Sequence, residues 1–184
     1  MHLNDLALKN TQWWQERGYR LPEYSAEAMR EQTRKEPVWV HFGAGNIFRA
    51  FVACLQQRIL DSGDAHSGII VAEGFDAEIV EKVYRPMDNH TLAVTLKADG
   101  SVEKEVVSSI AQSLTMEPGS DDWEQLRAIF RAPSLQMASF TITEKGYRIC
   151  GPDGELLPAI RTDLEAGPAK AESYIGRVAA LAYE

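Results

Sequence analysis

The run Val38-Trp39-Val40-His41-Phe42, followed at once by Gly43-Ala44-Gly45, constrains this chain more than any other stretch. Its β-branched and aromatic residues put apolar side chains on both faces, which suits a central strand covered on both sides. Asn46 to Leu60 then follows a helical apolar pattern that stops near Gly63, and a second apolar strand runs Gly68-Ile69-Ile70-Val71-Ala72-Glu73. Strand, glycine turn, helix and strand make a βαβ unit, the building block of a parallel sheet. An acidic loop, Gly74-Phe75-Asp76, and a short helix with Ile79, Val80 and Val83 on one face follow it.

The remaining segments arrange themselves around that unit. Residues 1–36 read as a helical, amphipathic extension in which Leu3, Leu6, Leu8, Trp13 and Trp14 precede a stop at Gly18. Ser25 can cap a second helix through Ala26, Ala28 and Met29, which must end before Pro37. From Thr91 the period changes to two: Leu92, Val94 and Leu96 alternate with polar residues, Asp99-Gly100 turns, and Val102 to Ile110 returns as a β-hairpin. Asp121 with Glu124 suggests a capping box for a helix carrying Trp123, Leu126, Ile129 and Phe130, closed by Pro133. A strand spans Leu135 to Ile142, Gly151-Pro152-Asp153-Gly154 is a turn, and Pro158 to Pro168 reads as irregular. The last helix, about Ala171 to Tyr183, places Tyr174, Ile175, Val178, Leu181 and Ala182 on one side. The expectation is an α/β fold: a doubly wound, mostly parallel sheet with an inserted β-hairpin and an N-terminal helical extension.

Composition removes several classes of function. With 184 residues the chain is sized for one core, and 19 basic against 27 acidic residues leave a net charge of −8, which repels a polyphosphate backbone. No stretch approaches the roughly 18 to 20 apolar residues that cross a bilayer, and Met1-His2-Leu3-Asn4-Asp5 lacks the segments of a secretory signal. Without export, the sequon Asn89-His90-Thr91 is a chance match, and Cys54 and Cys150 suit a reducing cytoplasm. No metal site is expected: His2, His41, His66 and His90 stand singly, and His41 reads as a hydrogen-bonded core residue. Phosphate-loop, HExxH and GxSxG patterns do not occur.

The chemistry of Gly43-x-Gly45 is that of the main chain. Glycine allows a tight turn and a close approach of a diphosphate, and the following helix offers unpaired amides and the positive end of its dipole. Phe48 stands where the dinucleotide fingerprint has its third glycine, so a ligand-free βα turn is the alternative reading. Glu73 and Asp76, about 30 residues beyond the turn, can accept from ribose hydroxyls, or they are solvated loop residues. No arginine at positions 74–77 welcomes a 2′-phosphate, which favours NAD over NADP. Arg49 in the first helical turn pairs with phosphate or is an exposed surface residue. Thr143, Glu144 and Lys145 end a strand on the same inferred edge, as the border of a nicotinamide site or as a polar turn. A strand followed by Gly-x-Gly also cradles S-adenosylmethionine, and a non-catalytic nucleotide-binding module is a third reading.

Three segments together carry a family resemblance: His41-Phe42-Gly43-Ala44-Gly45-Asn46-Ile47-Phe48-Arg49-Ala50, the hairpin from Thr91-Leu92 through Asp99-Gly100, and Ser139-Phe140-Thr141-Ile142-Thr143-Glu144-Lys145-Gly146-Tyr147. They resemble the N-terminal Rossmann domain of the mannitol dehydrogenase family, which comprises long-chain polyol dehydrogenases and hexuronate reductases. The resemblance covers about residues 37–184 and implies an NAD-binding domain, with Gly43, Ala44, Gly45, Asn46, Ile47, Phe48, Arg49, Glu73, Asp76, Thr143, Glu144 and Lys145 as cofactor residues. Members of the family often replace the third glycine by a larger residue followed by Arg and Ala, as Phe48-Arg49-Ala50 do here. Their catalytic lysine, asparagines and histidine lie further on, so no catalytic residue is expected within residues 1–184. The sugar substrate would then be bound through a C-terminal domain that this cut or naturally truncated chain lacks. The Trp13-Trp14 extension leans the substrate toward a hexuronate, and the chain alone is expected to bind NAD and turn nothing over.

Overall fold

The computed structural model describes residues 3–183; Met1, His2 and Glu184 lie outside them, and with His2 the expectation that it stands apart from other ligands. The chain opens with helices α1 (Asp5–Leu8) and α2 (Thr11–Glu16), strand β1 (Tyr19–Arg20) and helix α3 (Ala26–Lys35). Ser25 caps α3 as expected, its Oγ accepting from the Ala28 amide at 3.2 Å. Strand β2 (Trp39–Phe42) leads through the glycine turn into a π-helical turn (Phe48–Val52) continuous with α4 (Ala53–Asp61), and then into β3 (Ile69–Glu73). Helix α5 (Ala77–Ile79) runs on through a second π-helical turn (Val80–Tyr84) toward the hairpin strands β4 (Thr91–Leu96) and β5 (Val102–Val107). Strand β6 (Ile110–Thr115), helix α6 (Asp121–Phe130), strand β7 (Met137–Phe140) and helices α7 (Glu144–Tyr147), α8 (Pro158–Ala166) and α9 (Tyr174–Tyr183) complete it.

Strands β6, β3, β2 and β7 form a parallel sheet in that order. Along the chain this is third, second, first, fourth, the first half of the doubly wound arrangement, and the order reverses between β2 and β7. Side chains alternate across it. Val40 and Phe42 join Ile70, Ala72 and Leu114 in a core closed by Leu126 of α6 and Val178 and Leu181 of α9. On the other face Ile69, Val71 and Ile110 pack against Phe48, Ala53, Cys54 and Tyr84.

Several expectations need correction. Residues 19–20 are not helical: β1 pairs in parallel with β5, so the hairpin and the N-terminal extension build a separate three-stranded sheet in the order β1-β5-β4. The return strand does not continue to Ile110. It ends at Val107, and residues 110–115 belong to the parallel sheet. The corner between them is bracketed from α4: Gln57 Oε1 accepts from the Ser108 amide at 2.6 Å, Gln57 Nε2 donates to the Val106 carbonyl at 2.7 Å, and Ser109 Oγ donates to the Ala53 carbonyl at 2.6 Å. Those side-chain partners satisfy main-chain groups that would otherwise be buried unpaired. Helix α6 is capped by Ser120, whose Oγ accepts from the Trp123 amide at 3.1 Å, rather than by an Asp121–Glu124 box; Asp122 instead accepts from the Thr115 amide at 2.8 Å. Pro158 to Pro168 is not irregular, because Pro158 sits at the first position of α8, where its missing N–H costs nothing. Ala182 is exposed rather than on the buried side of α9.

Two polar networks tie these layers together. Arg30 holds Asp5 bidentately at 2.6 and 2.8 Å, and His90 joins the same carboxylate at 2.7 Å and Ser108 Oγ at 2.7 Å. Chiefly because of Arg30, the Asp5 carboxyl is held down at about 2. Between β2 and β7, Trp39 Nε1 donates to Ser139 Oγ at 2.7 Å, His41 Nδ1 meets the same oxygen at 2.7 Å, and His41 Nε2 meets Thr141 Oγ1 at 2.8 Å. Burial disfavours the imidazolium and lowers the His41 pKa to about 4.

From pH 6.5 down to 4 the unfolded chain therefore takes up a proton at His41 that the folded chain refuses, so stability rises with pH through that window. Acidification across it is expected to remove about 3 kcal/mol of unfolding free energy through this one residue. H41Q keeps an amide near Nε2 but does not titrate, and denaturant unfolding at a series of pH values should show it losing that share of the pH dependence.

Candidate cofactor site

The carboxyl ends of β3, β2 and β7 lie side by side, and from them emerge the three segments singled out in the sequence: residues 73–76, 43–49 and 141–145. Their loops converge at the crevice where the strand order reverses.

The glycine turn is held one peptide at a time. The Gly43 amide donates to the Ala72 carbonyl at 2.9 Å, extending the pairing with β3. The next peptide unit is gripped from both sides: the Gly43 carbonyl accepts from Thr141 Oγ1 at 3.3 Å, and the Ala44 amide donates to Glu73 Oε2 at 2.8 Å. Tyr84 fixes the following unit by donating its hydroxyl to the Ala44 carbonyl at 2.7 Å. Gly43 has φ +105°, a conformation that favours glycine, and a Cβ there would lie 2.8 Å from the Thr141 carbonyl oxygen. At Gly45 a Cβ would meet nothing within 4 Å, so that position faces open space.

The first bond of the helix runs from the Arg49 amide to the Gly45 carbonyl at 3.2 Å. The amides of Asn46, Ile47 and Phe48 precede it and have no acceptor within the helix. Gly45, Asn46 and Ile47 are exposed. Phe48 is fully buried, its ring stacked on His41 with centroids 4.4 Å apart and planes 16° from parallel. The ring thus lies beneath the helix and leaves the mouth of the turn clear. Where glycine would let the helix press onto the strand, the aromatic pair fills the gap and the helix widens, the Ala53 amide reaching back to the Phe48 carbonyl. Arg49 is partly exposed, with Nη2 donating to Asn46 Oδ1 at 2.5 Å and the guanidinium 5.8 Å from the centre of the Tyr84 ring.

The two acids differ in kind. Glu73 is only 7% exposed, and besides the Ala44 amide it accepts from the Phe75 and Asp76 amides at 2.8 and 3.2 Å. It points inward, so its carboxylate holds main chain instead of standing free for a ribose. Asp76 is exposed on the loop beside it. Strand β7 stops at Phe140, so Thr143, Glu144 and Lys145 do not end it as expected: Thr143 precedes α7, which Glu144 and Lys145 open, and all three are exposed, with Glu144 paired to Arg148 at 2.5 Å. Gly146 is buried against the Phe75 ring, which stacks on Tyr174 with centroids 4.5 Å apart, so this loop is anchored to the one after β3. Sequence reasoning missed Tyr84, Ser139 and Thr141 as supports of the turn. Only the apolar spacing of residues 79–84 and the polar residues inside β7 hinted at them.

Among the described residues no group of three or more His, Cys, Asp and Glu lies together to hold a metal, and no helix is long and apolar enough to cross a membrane. The chain matches no family model. It is 45% identical over 184 residues to the D-mannonate oxidoreductase of Thermotoga maritima, covering all of this chain and 34% of that protein. It is 30% identical over 154 residues to the D-mannonate oxidoreductase of Escherichia coli, covering 80% of this chain and 31% of that one. The chain spans about a third of the length of these curated relatives. Among solved structures it is similar to Pseudomonas fluorescens mannitol 2-dehydrogenase in a ternary complex with NAD and D-mannitol, with TM-score 0.78 and 25% identity over 98% of this chain and 35% of the other. A D-sorbitol dehydrogenase in substrate-free form shares the fold, with TM-score 0.77 and 23% identity over the same shares of 98% and 35%. In sequence and in fold the chain matches the N-terminal part of members of the mannitol dehydrogenase family.

Proposed function

We propose that this chain forms the NAD-binding part of an oxidoreductase that passes hydride between nicotinamide and a hexuronate of the mannonate–fructuronate type, a polyol of the mannitol type being the other substrate class. The observation that carries the reading is a glycine turn clamped at every peptide yet open at Gly45, in a chain 45% identical to a D-mannonate oxidoreductase. NAD, when bound, supplies the hydride-accepting ring. The protein's part is to hold it.

In this reading the amides of Gly45, Asn46, Ile47 and Phe48 take the diphosphate at the positive end of the helix, and Arg49 offsets its charge. Gly43 and Ala44 shape the turn, and Glu73 fixes that shape from β3. Asp76 accepts from the ribose hydroxyls and repels a 2′-phosphate. Thr143, Glu144 and Lys145 border the nicotinamide side. Residues 37–184 form the cofactor domain, with residues 1–36 as an extension fastened through β1 and the contact of Asp5 with His90. The sugar and its acid–base groups belong to a further domain of the whole enzyme. The two free thiols, Cys54 and Cys150, suit a cytoplasmic protein.

Titration with NADH and with S-adenosylmethionine, followed by tryptophan fluorescence, tests the reading: a response to NADH is expected, and a response to S-adenosylmethionine alone would overturn it. Gly45 has no positive φ and its Cβ direction is empty, so G45V should keep the melting temperature within about 2 °C of the unaltered chain while abolishing NADH binding. G43A, by contrast, should destabilise the fold itself, by roughly 1–3 kcal/mol, because its Cβ meets the Thr141 backbone. D76A is expected to weaken NADH about tenfold and to narrow the preference over NADPH, which paired titrations would measure.

A further inference from the structure

Five groups run in one unbroken line from β2 across β7 and back to the glycine turn: Trp39 Nε1, Ser139 Oγ, the His41 imidazole, Thr141 Oγ1 and the Gly43 carbonyl, at 2.7, 2.7, 2.8 and 3.3 Å. The carbonyl end decides the direction of the hydrogens. A carbonyl only accepts, so the single hydrogen of the Thr141 hydroxyl goes to Gly43 and Thr141 Oγ1 accepts from His41 Nε2–H. In a neutral imidazole Nδ1 is then bare, and it accepts from the Ser139 hydroxyl, whose oxygen accepts from the Trp39 indole N–H. With the other tautomer the Thr141 hydrogen would turn to Nε2 and leave two lone pairs facing each other between Thr141 and Gly43.

From this geometry we propose that the line is a one-way hydrogen-bond relay that positions the cofactor turn, with His41 as a neutral Nε2–H tautomer and Thr141 as its positioning residues. The proposal rests on the reading of the turn as an NAD site and adds to it the residues that set the turn's geometry. Thr141 acts on the carbonyl of the same peptide whose amide is held by Glu73, so the plane of that peptide is set by one hydroxyl and one carboxylate. The orientation of the plane aims the next open amide, that of Gly45. Phe48 supports the relay by stacking on the imidazole, so the large residue at the third fingerprint position braces the histidine that fixes the first. Chained hydrogen bonds of one polarity reinforce one another, which gives the turn a stiffness that a lone threonine would not supply.

The test uses the full 184-residue chain and NADH as the probe. Long-range 1H–15N spectra of histidine-labelled protein should show His41 with a protonated Nε2 and a bare Nδ1; the opposite tautomer overturns the relay. T141V, which keeps the shape and loses the hydroxyl, should weaken NADH about tenfold, and T141S should restore it. S139A breaks the line further from the turn and should alter the His41 tautomer signature while weakening NADH less than T141V does, which keeps the question decidable if T141V folds poorly. NADH binding that is unchanged in both T141V and S139A overturns the relay and leaves the cofactor reading standing. Failure of the unaltered chain to bind NADH overturns the cofactor reading and, with it, the relay's purpose.

Discussion

A single peptide unit, between Gly43 and Ala44, bears the geometry on which the site depends. Its carbonyl is held by a hydroxyl from β7 and its amide by a carboxylate from β3, so the strands on either side of β2 grip it from opposite directions. A glycine turn is by nature loose, because its residues have the widest choice of backbone conformations. Here that freedom is removed by neighbours rather than by the turn itself. The result is a short stretch of main chain fixed at Gly43 and Ala44 and open at the amides from Gly45 onward, which is the arrangement an anion needs in order to bind without first ordering the loop.

The rest of the architecture serves that grip. The sheet order places β3 and β7 on opposite sides of β2, so Glu73 and Thr141 can reach the same peptide only because the winding reverses there. Phe48 and His41 fill the space between strand and helix with a stacked pair, and the widened helical turn accommodates them. Tyr84 arrives from the segment leading to the hairpin and pins the second carbonyl of the turn. The hairpin is in turn bound to the N-terminal extension through β1 and to α4 through Gln57. Distant parts of the chain thus converge on a few atoms.

The local signals that proved legible were those with a local cause. The apolar run of β2, the helix after Gly45 and the Ser25 cap all follow from residues near one another in the chain, and each stands close to where its pattern placed it. The misreadings had non-local causes. The break at Ser108–Ser109 is made by Gln57, 51 residues before Ser108, and nothing in the alternation of residues 102–115 announces it. The strand at residues 19–20 exists only because β5 offers it an edge. Glu73 and Asp76 look equivalent in the sequence, two acids a few residues apart. Burial against the Ala44 amide separates them into a support and an exposed acid.

By itself the sequence determined that a strand, a glycine turn and a helix follow one another, because periodicity, β-branching and the absence of side chains at Gly43 and Gly45 act over a few residues. It also determined the family likeness, which resides in contiguous segments. Only the tertiary structure decided which groups make the turn rigid. Tyr84, Glu73 and Thr141 lie 40, 29 and 98 residues from their partners in the turn. The pairing of strands and the burial of the apolar faces bring them to those positions, since a hydrogen-bond partner is selected by distance in space and not by distance along the chain.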